Sequence, residues 1–542
     1  MLKDKVPYSI CLLFVLCSLP AVLMRDLNTV NELNYLAIAK DALAQGHFFI
    51  FGGEKFGSAL MPPLYMWLCM IAYAVAGIHA SAVMLAMNVL FICFMMYLCS
   101  KFFSSDLSKQ YAIASASSLC ALPFVCIPAF AMSPYVLNAA LIVAACALLS
   151  RRLELCLLDP DNLALRRRSD IFIPACMFAS LLNCGPFGLV IPPLTLAVVL
   201  FIKMRFKLFL RIFPLHWWLY MLTAALIWFS LTFFEGGQTA TYELFIQNPA
   251  DFLTGKLGHE QPPFFYLYIF LLISLPLGTA ALYSGIRILS HERTGASVNF
   301  LFALFMPLVT LMVCSVTAAK SEFYVLCALP TLPSLLCRYL QEAGSRDSLV
   351  KLLLFAGFMP FSVLFISLYW LNDDFPLLNG TYVVCAFLFI LLSTALSVIR
   401  TVSSSALNGI QTFSAGVLIM ILTLGFAVPG INPYFSPEQA VKKAALLSKS
   451  SGVNELCVIG IPKPWTLSLI SEDLKIRDVS YEELVSKKCS RSYRLIGRSA
   501  QKKWSDLRVL KNTEGAFIAG DLVLLEPQQV GRKTSVWDSF KK

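Results

Sequence analysis

Apolar runs govern what this chain can become. They fall at about 6–24, 62–78, 80–100, 110–131, 134–150, 171–183, 186–202, 213–234, 263–286, 299–317, 321–340, 352–371, 381–399 and 410–430. Most approach the ~20 residues that cross a bilayer as a helix. A chain built this way cannot bury its runs in one water-soluble core, so lipid must be its solvent. Composition agrees: 58% of residues are hydrophobic and 14% charged, against about 25% charged in soluble domains. The expected fold is an α-helical polytopic membrane protein.

The net charge of +11 would suit nucleic acid only if it were gathered with aromatics on one face. It is not. Lys and Arg collect in short loops and in the tail: Arg151/Arg152, Arg166–Arg168, Lys203/Arg205/Lys207/Arg211, Arg287/Arg293 and Arg338/Arg346/Lys351. That is a topology signal, and a nucleic-acid partner is excluded. The basic start Met-Leu-Lys-Asp-Lys precedes an apolar run with no small-residue cleavage site, which reads as an uncleaved first helix with a cytoplasmic N-terminus. Read literally, the runs give fourteen spans and a cytoplasmic tail. A half-helix between 62 and 150 would give about 13 spans and an external one. Pro186, Pro193, Pro276 and Pro333 are expected to kink or interrupt helices.

After Pro429-Gly430 charges become frequent. A helical stretch near Pro437–Ser450 leads into strand-like runs at Leu456–Ile461, Tyr493–Ile496 and Leu522–Leu525. The expected division is a multi-span domain over 1–430, with a loop at 25–61, and a small α/β soluble domain over 431–542. Of the 17 cysteines most sit singly in apolar runs (Cys69, Cys93, Cys120, Cys146, Cys314, Cys385) as small hydrophobes. Cys457 and Cys489 alone lie in the tail, where an oxidising compartment would let them bridge. No zinc-ligand spacing, Gly-rich phosphate loop or Ser-His-Asp set is present.

Loop 25–61 holds Arg25, Asp26, Glu32, Lys40, Asp41, His47, Glu54 and Lys55. Tyr35, Ile38, Ala39 and Leu43 recur at helical spacing, as in an amphipathic helix on the membrane surface. The informative stretch is Asn31-Glu32-Leu-Asn-Tyr35, Gly46-His47-Phe48, then Met61-Pro62-Pro63-Leu-Tyr65-Met-Trp67. Further on stand Met132-Ser133-Pro134, Asn183-Cys184-Gly185-Pro186, His259-Glu-Gln-Pro262 with Phe264-Phe265-Tyr266, and Ala319-Lys320 with Tyr324. In order and approximate spacing these motifs resemble the bacterial members of the protein-mannosyltransferase superfamily, particularly the lipid A aminoarabinose transferases, which have the GT-C fold. The resemblance covers most of residues 10–340 and extends in layout to the tail.

The resemblance implies a glycosyltransferase of the bacterial inner membrane, moving a sugar from a polyprenyl-phosphate donor to an envelope lipid, glycan or protein, with the tail periplasmic. The leaving phosphate needs cationic or hydrogen-bonding donors. The acceptor hydroxyl needs a carboxylate, sometimes with a metal, while the anomeric carbon gains cationic character. Here the pattern is altered. Asn31 and Ser133 stand where the family has acids, and Met61 and Cys184 where it has lysines. Losing one member of a buried ion pair would cost about 3–5 kcal/mol; losing both signs together avoids that. What remains is Glu32 as the catalytic candidate, beside Asn31 and Ser133 at the altered positions, and Lys320, Tyr324 and His259 as donor-phosphate ligands. No cofactor is assigned, and the altered motif does not support a divalent metal. Asp373-Asp374 reads as a solvated turn, the Trp217-Trp218 pair as an interfacial anchor, and Asn379-Gly-Thr381 as a glycosylation pattern discounted by its position against a span. Two rivals follow. The joint losses would suit a non-catalytic subunit that binds a lipid-linked sugar. A secondary transporter is disfavoured by the long first loop and the absence of a repeat.

Overall fold

In the computed structural model, residues 6–27, 31–158, 163–256, 260–291, 295–343, 347–371, 380–485, 489, 491–504, 516–519 and 522–527 are described. The first helix, α1 (Val6–Met24), is followed by α2 (Glu32–Gln45), the small antiparallel pair β1 (Phe51–Gly53) and β2 (Ser58–Met61), then α3 (Pro63–Ala76) and α4 (Ala80–Leu98). Among the described residues seven helical stretches are long and apolar enough to cross a membrane. Two further pairs are bent: Lys109–Ser118 with Pro123–Phe130 by 64°, and Phe265–Ile273 with Gly278–His291 by 105°. The 110–131 run, counted above as one span, is the first of these bent pairs.

The prolines explain only some of the breaks. Pro276 lies in the 105° bend and Pro186 caps the helix Phe187–Ile202. Pro193, expected to interrupt, sits inside that helix with Pro192, and Pro333 lies in the first turn of Leu332–Ala343, where a missing N–H costs nothing. The Trp pair also splits. Trp218 is exposed on the apolar outer face, but Trp217 is fully buried, with the Arg152 guanidinium 4.8 Å over its ring. Asp373, Asp374, Asn379 and the side chains of Arg166–Arg168 lie outside the described residues.

The end of the membrane domain returns to the end of α1. The last long helix, Ala406–Phe435, packs along α1, and the two end on the same face. Asn432 donates from Nδ2 to the Met24 carbonyl (2.8 Å) and accepts the Asp26 N–H (3.3 Å), while Leu27 N–H donates to Glu438 (3.0 Å). These bonds satisfy backbone groups left open where α1 stops. Loop 25–61 and the start of the tail therefore meet at the same end of α1.

The tail begins with the helix Glu438–Ser451 and forms a five-stranded sheet of order β4-β3-β5-β7-β6. Its strands are β3 (Glu455–Ile459), β4 (Lys475–Asp478), β5 (Tyr493–Ile496), β6 (Ala516–Ala519) and β7 (Leu522–Leu525). The first three are mutually parallel around β3; β7 runs antiparallel to β5 and β6. Alternation along the strands sends Leu456, Val458, Leu495 and Leu524 into one core with α2 and α3, and Cys457, Ile459, Ile496, Val523 and Leu525 into a thinner layer behind. This corrects the surface-helix reading of α2. Leu33, Leu36, Ile38 and Ala39 are buried against protein rather than lipid, and Leu43 is exposed. The missing information was the partner, supplied some 400 residues later in the chain: Phe56 packs on Trp465 with ring centroids 5.4 Å apart, and Lys40 pairs with Glu472.

A Cβ at Gly425 would lie 2.8 Å from Ala21 N and 2.9 Å from Pro20 Cβ, whereas one at Gly430 meets nothing within 4 Å. Gly425→Leu should therefore destabilise the α1 contact by about 1–3 kcal/mol, read as a lower melting temperature in detergent. Gly430→Leu should leave it unchanged.

Candidate active site

Glu32 opens α2, and its burial (3% exposed) makes its partners decisive. Arg25 Nη1 donates to Glu32 Oε1 at 2.5 Å, and the Met132 N–H donates to the same oxygen at 3.1 Å. One carboxylate thus ties the first loop to the loop carrying Ser133. Asn31, one residue earlier, is exposed and makes no capping bond. Ser133 Oγ accepts the Tyr135 N–H at 3.3 Å and so shapes the start of the helix Tyr135–Leu158. Asn88 on α4 holds the preceding turn by donating to the Ala131 carbonyl (2.8 Å), and Asn183 holds the following residue by donating to the Pro134 carbonyl (2.7 Å).

Asn183 brings Cys184 with it, and around Cys184 the interior is lined with phenols. Tyr35 and Tyr65 meet edge to face at 5.3 Å, Tyr135 and Tyr324 at 5.4 Å. Cys184 lies within electrostatic reach of all four rings, and Glu32 of Tyr65. Burial pushes the Tyr35 hydroxyl well above the usual phenol range. Tyr324 packs further against Phe187 and Phe252. Three polar atoms in this region, Tyr65 Oη, Asn34 Oδ1 and Asn183 Oδ1, are buried with no hydrogen-bond partner among the described residues. Orphans of this kind each cost about 1–3 kcal/mol, and they suit a hydroxyl-bearing ligand. Sequence reasoning named Tyr65 only within its motif; nothing in a lone Tyr announces an unpaired hydroxyl.

Lys320 stands apart from the phenols. It is buried, its ammonium donates to the Thr317 carbonyl, and among the described residues no carboxylate pairs with it. Burial lowers its pKa from the ordinary lysine value. Its strand is held on both sides. Ala318 and Ala319 N–H donate to the Leu253 and Phe252 carbonyls, and Glu260 bridges to Ala319. Next along, the fully buried Tyr266 donates to the Ser321 carbonyl (3.0 Å) and accepts the Ser321 N–H (3.2 Å). Tyr266 thus pins Ser321, the residue between Lys320 and the helical turn Glu322–Ala328 that carries Tyr324. His259 lies outside the described residues. Among the described residues no group of three His, Cys, Asp or Glu side chains gathers to hold a metal.

A second carboxylate fixes the outer part of the first loop. Glu235, in the long helix Leu215–Tyr242, accepts the N–H groups of Phe48, Phe49 and Ile50 at 3.0–3.2 Å, with His47 Nδ1 at 3.5 Å. One turn past the non-helical Gly237 (φ 68°), Glu243 accepts the Leu60 N–H (3.3 Å) and Asn248 donates to the Leu60 carbonyl (2.9 Å). An ionisable residue in an apolar span is a functional signal in its own right, and Glu235 could have been found that way.

A helical bundle whose first loop packs under a C-terminal α/β tail and meets the mid-chain turn at Met132 is consistent with the GT-C architecture, and this chain has that fold. The particular likeness is to ArnT from Cupriavidus metallidurans, solved bound to undecaprenyl phosphate: TM-score 0.65, 16% identity, covering 96% of this chain and 99% of that one. The apo form of the same protein matches at 0.64 with the same identity and coverage. The oligosaccharyltransferase AglB from Archaeoglobus fulgidus, in complex with an inhibitory peptide and a dolichol-phosphate, matches more remotely, at 0.43 and 13% identity over 98% of this chain and 75% of that one. No family model matches the chain, and no curated protein matches it.

Hydrogen bonds to a charged group contribute about 1.5–3 kcal/mol. Glu235→Gln should therefore speed amide hydrogen exchange at Phe48–Ile50 by roughly tenfold or more, with exchange in α3 unaltered.

Proposed function

We propose that this protein is a glycosyltransferase of the bacterial inner membrane. Its donor is a sugar on polyprenyl phosphate, and its acceptor an envelope lipid, glycan or protein on the face shared by loop 25–61 and the tail, with that face external and the N-terminus cytoplasmic. The observation that carries the reading is the convergence at Glu32: a buried, Arg-paired carboxylate joining two loops beside a pocket of phenols with unpaired polar atoms. The fold shared with a protein solved on undecaprenyl phosphate supports the lipid carrier.

In this reading the acceptor oxygen attacks the anomeric carbon while the sugar–phosphate bond breaks. The acceptor proton passes to Glu32, with Arg25 offsetting the charge of that carboxylate before transfer. The lipid-bound phosphate that departs meets Lys320, whose ammonium is held among the described residues by the Thr317 carbonyl, and Tyr324 and His259 are its further proposed ligands. Asn31 and Ser133, in place of acids, hydrogen-bond the acceptor rather than deprotonate it. A second reading is favoured by the same contact at Glu32. A carboxylate held by Arg25 and the Met132 amide suits a protein that binds a lipid-linked sugar without transferring it.

Two measurements on the detergent-purified protein separate these. Lys320→Met should weaken undecaprenyl-phosphate binding by about tenfold or more, the scale of one charge-assisted contact. Glu32→Gln should lower turnover by roughly 100-fold or more while leaving that binding intact. Full turnover in Glu32→Gln would remove its role as base. Binding without turnover, unchanged by Asn31→Asp with Met61→Lys, would establish the second reading.

A further inference from the structure

The tail contains two cysteines, Cys457 and Cys489, 32 positions apart, and the fold brings them together. Cys457 is the central residue of β3, flanked in register by Arg477 of β4 and Arg494 of β5. Period-two alternation turns it away from α2 and into the thin layer behind the sheet. Cys489 enters that layer from the connection between the short helix Tyr481–Val485 and β5. The two residues are free thiols in this structure, buried in the same small layer at 1% and 0% exposed. Ser492 fixes the approach: its N–H donates to the Cys489 carbonyl (3.1 Å), and its hydroxyl donates to Glu455 at the start of β3 (2.5 Å).

We propose that Cys457 and Cys489 form a disulfide in the mature protein, made as the tail folds in an oxidising compartment. This rests on the external placement of the tail proposed above. The layer the pair occupies is small: besides the cysteines it buries Ile459, Val479, Leu484, Ile496, Ala500, Val523 and Leu525, under two short helices. Thin cores in extracytoplasmic domains are where disulfides substitute for buried area. Cys11 and Cys93 also approach one another, but between helices of the membrane domain, where each thiol donates to the other's carbonyl.

The chemistry is thiol–disulfide exchange with a partner carrying a reactive disulfide. One cysteine, as thiolate, attacks a partner sulfur, giving a mixed disulfide and releasing one partner thiol. The second, deprotonated in turn, attacks the mixed disulfide, forming the Cys457–Cys489 bond and releasing the other partner thiol. The two electrons and two protons lost by the cysteines end on the partner, which is reduced. Because both sulfurs are buried in the folded tail, exchange must precede closure of the layer, and the finished bond is shielded from small reductants.

The test uses the full-length protein, acid-quenched in its native membranes, unfolded and alkylated before and after reduction. Fifteen thiols should react without reductant and all 17 with it, and proteolysis without reductant should release one linked peptide pair containing both residues. Cys457→Ala with Cys489→Ala should give fifteen adducts under both conditions, which guards against a bridge elsewhere. In parallel, a membrane-impermeant lysine reagent on intact spheroplasts reports whether the exposed Lys449 faces outward. Seventeen adducts without reductant and a labelled Lys449 would overturn the disulfide alone. Seventeen adducts and an unlabelled Lys449 would overturn it together with the external placement of the tail.

Discussion

A single buried charge organises the region where chemistry can occur. Taking the Glu32 carboxylate out of water costs several kcal/mol unless its lone pairs are met. The chain meets them from two places distant in sequence, Arg25 at the end of α1 and the Met132 amide at the turn before Tyr135. Because each partner sits at the start or end of a helix, satisfying the charge fixes how α1, α2 and the helix Tyr135–Leu158 stand relative to one another. The phenols, Cys184 and the asparagine pair fill the space this leaves.

Around that point the other contacts act as braces. Glu235 and Glu243, on either side of the Gly237 kink, hold the first loop to a helix whose outer face carries exposed Leu219, Leu222, Leu226, Ile227 and Phe234. Tyr266 pins Ser321, between Lys320 and the turn that carries Tyr324. The tail completes the set, covering α2 and accepting the Leu27 N–H beyond α1 at Glu438. None of these braces is a catalytic group, yet each sets the position of one.

Much of this was legible in the chain. The apolar runs, the 25–61 loop and the three tail strands followed from periodicity and length, because lipid and sheet geometry impose their spacing on sequence directly. The motif series from Asn31 to Tyr324 gave the GT-C fold, and of the loops it named the one carrying Met132 and Ser133 meets Glu32. What stayed hidden were relations between distant positions. Leu33, Leu36 and Ile38 signal an apolar face but cannot say whether lipid or a sheet will cover it. Arg25 is one charge among several until Glu32 is seen to be buried. The 110–131 run reads as a span because hydropathy does not register a 64° bend. Lys320 could be picked out as ionisable beside a span, but that its ammonium turns to the Thr317 carbonyl, with no carboxylate paired to it among the described residues, is a fact of three dimensions.

The contact between the first loop and the tail has a temporal side. Leu27 and Glu438, which hydrogen-bond, are separated by 411 residues, and Lys40 and Glu472 by 432. At about 5–20 residues per second of synthesis, the partner of α2 emerges roughly 20 to 80 seconds after α2 itself. Throughout that interval α3 covers only part of its apolar face, and the adjacent bilayer surface is a refuge for the rest. The amphipathic pattern that reads as a membrane-surface helix would then describe where α2 waits, and the finished fold where it ends.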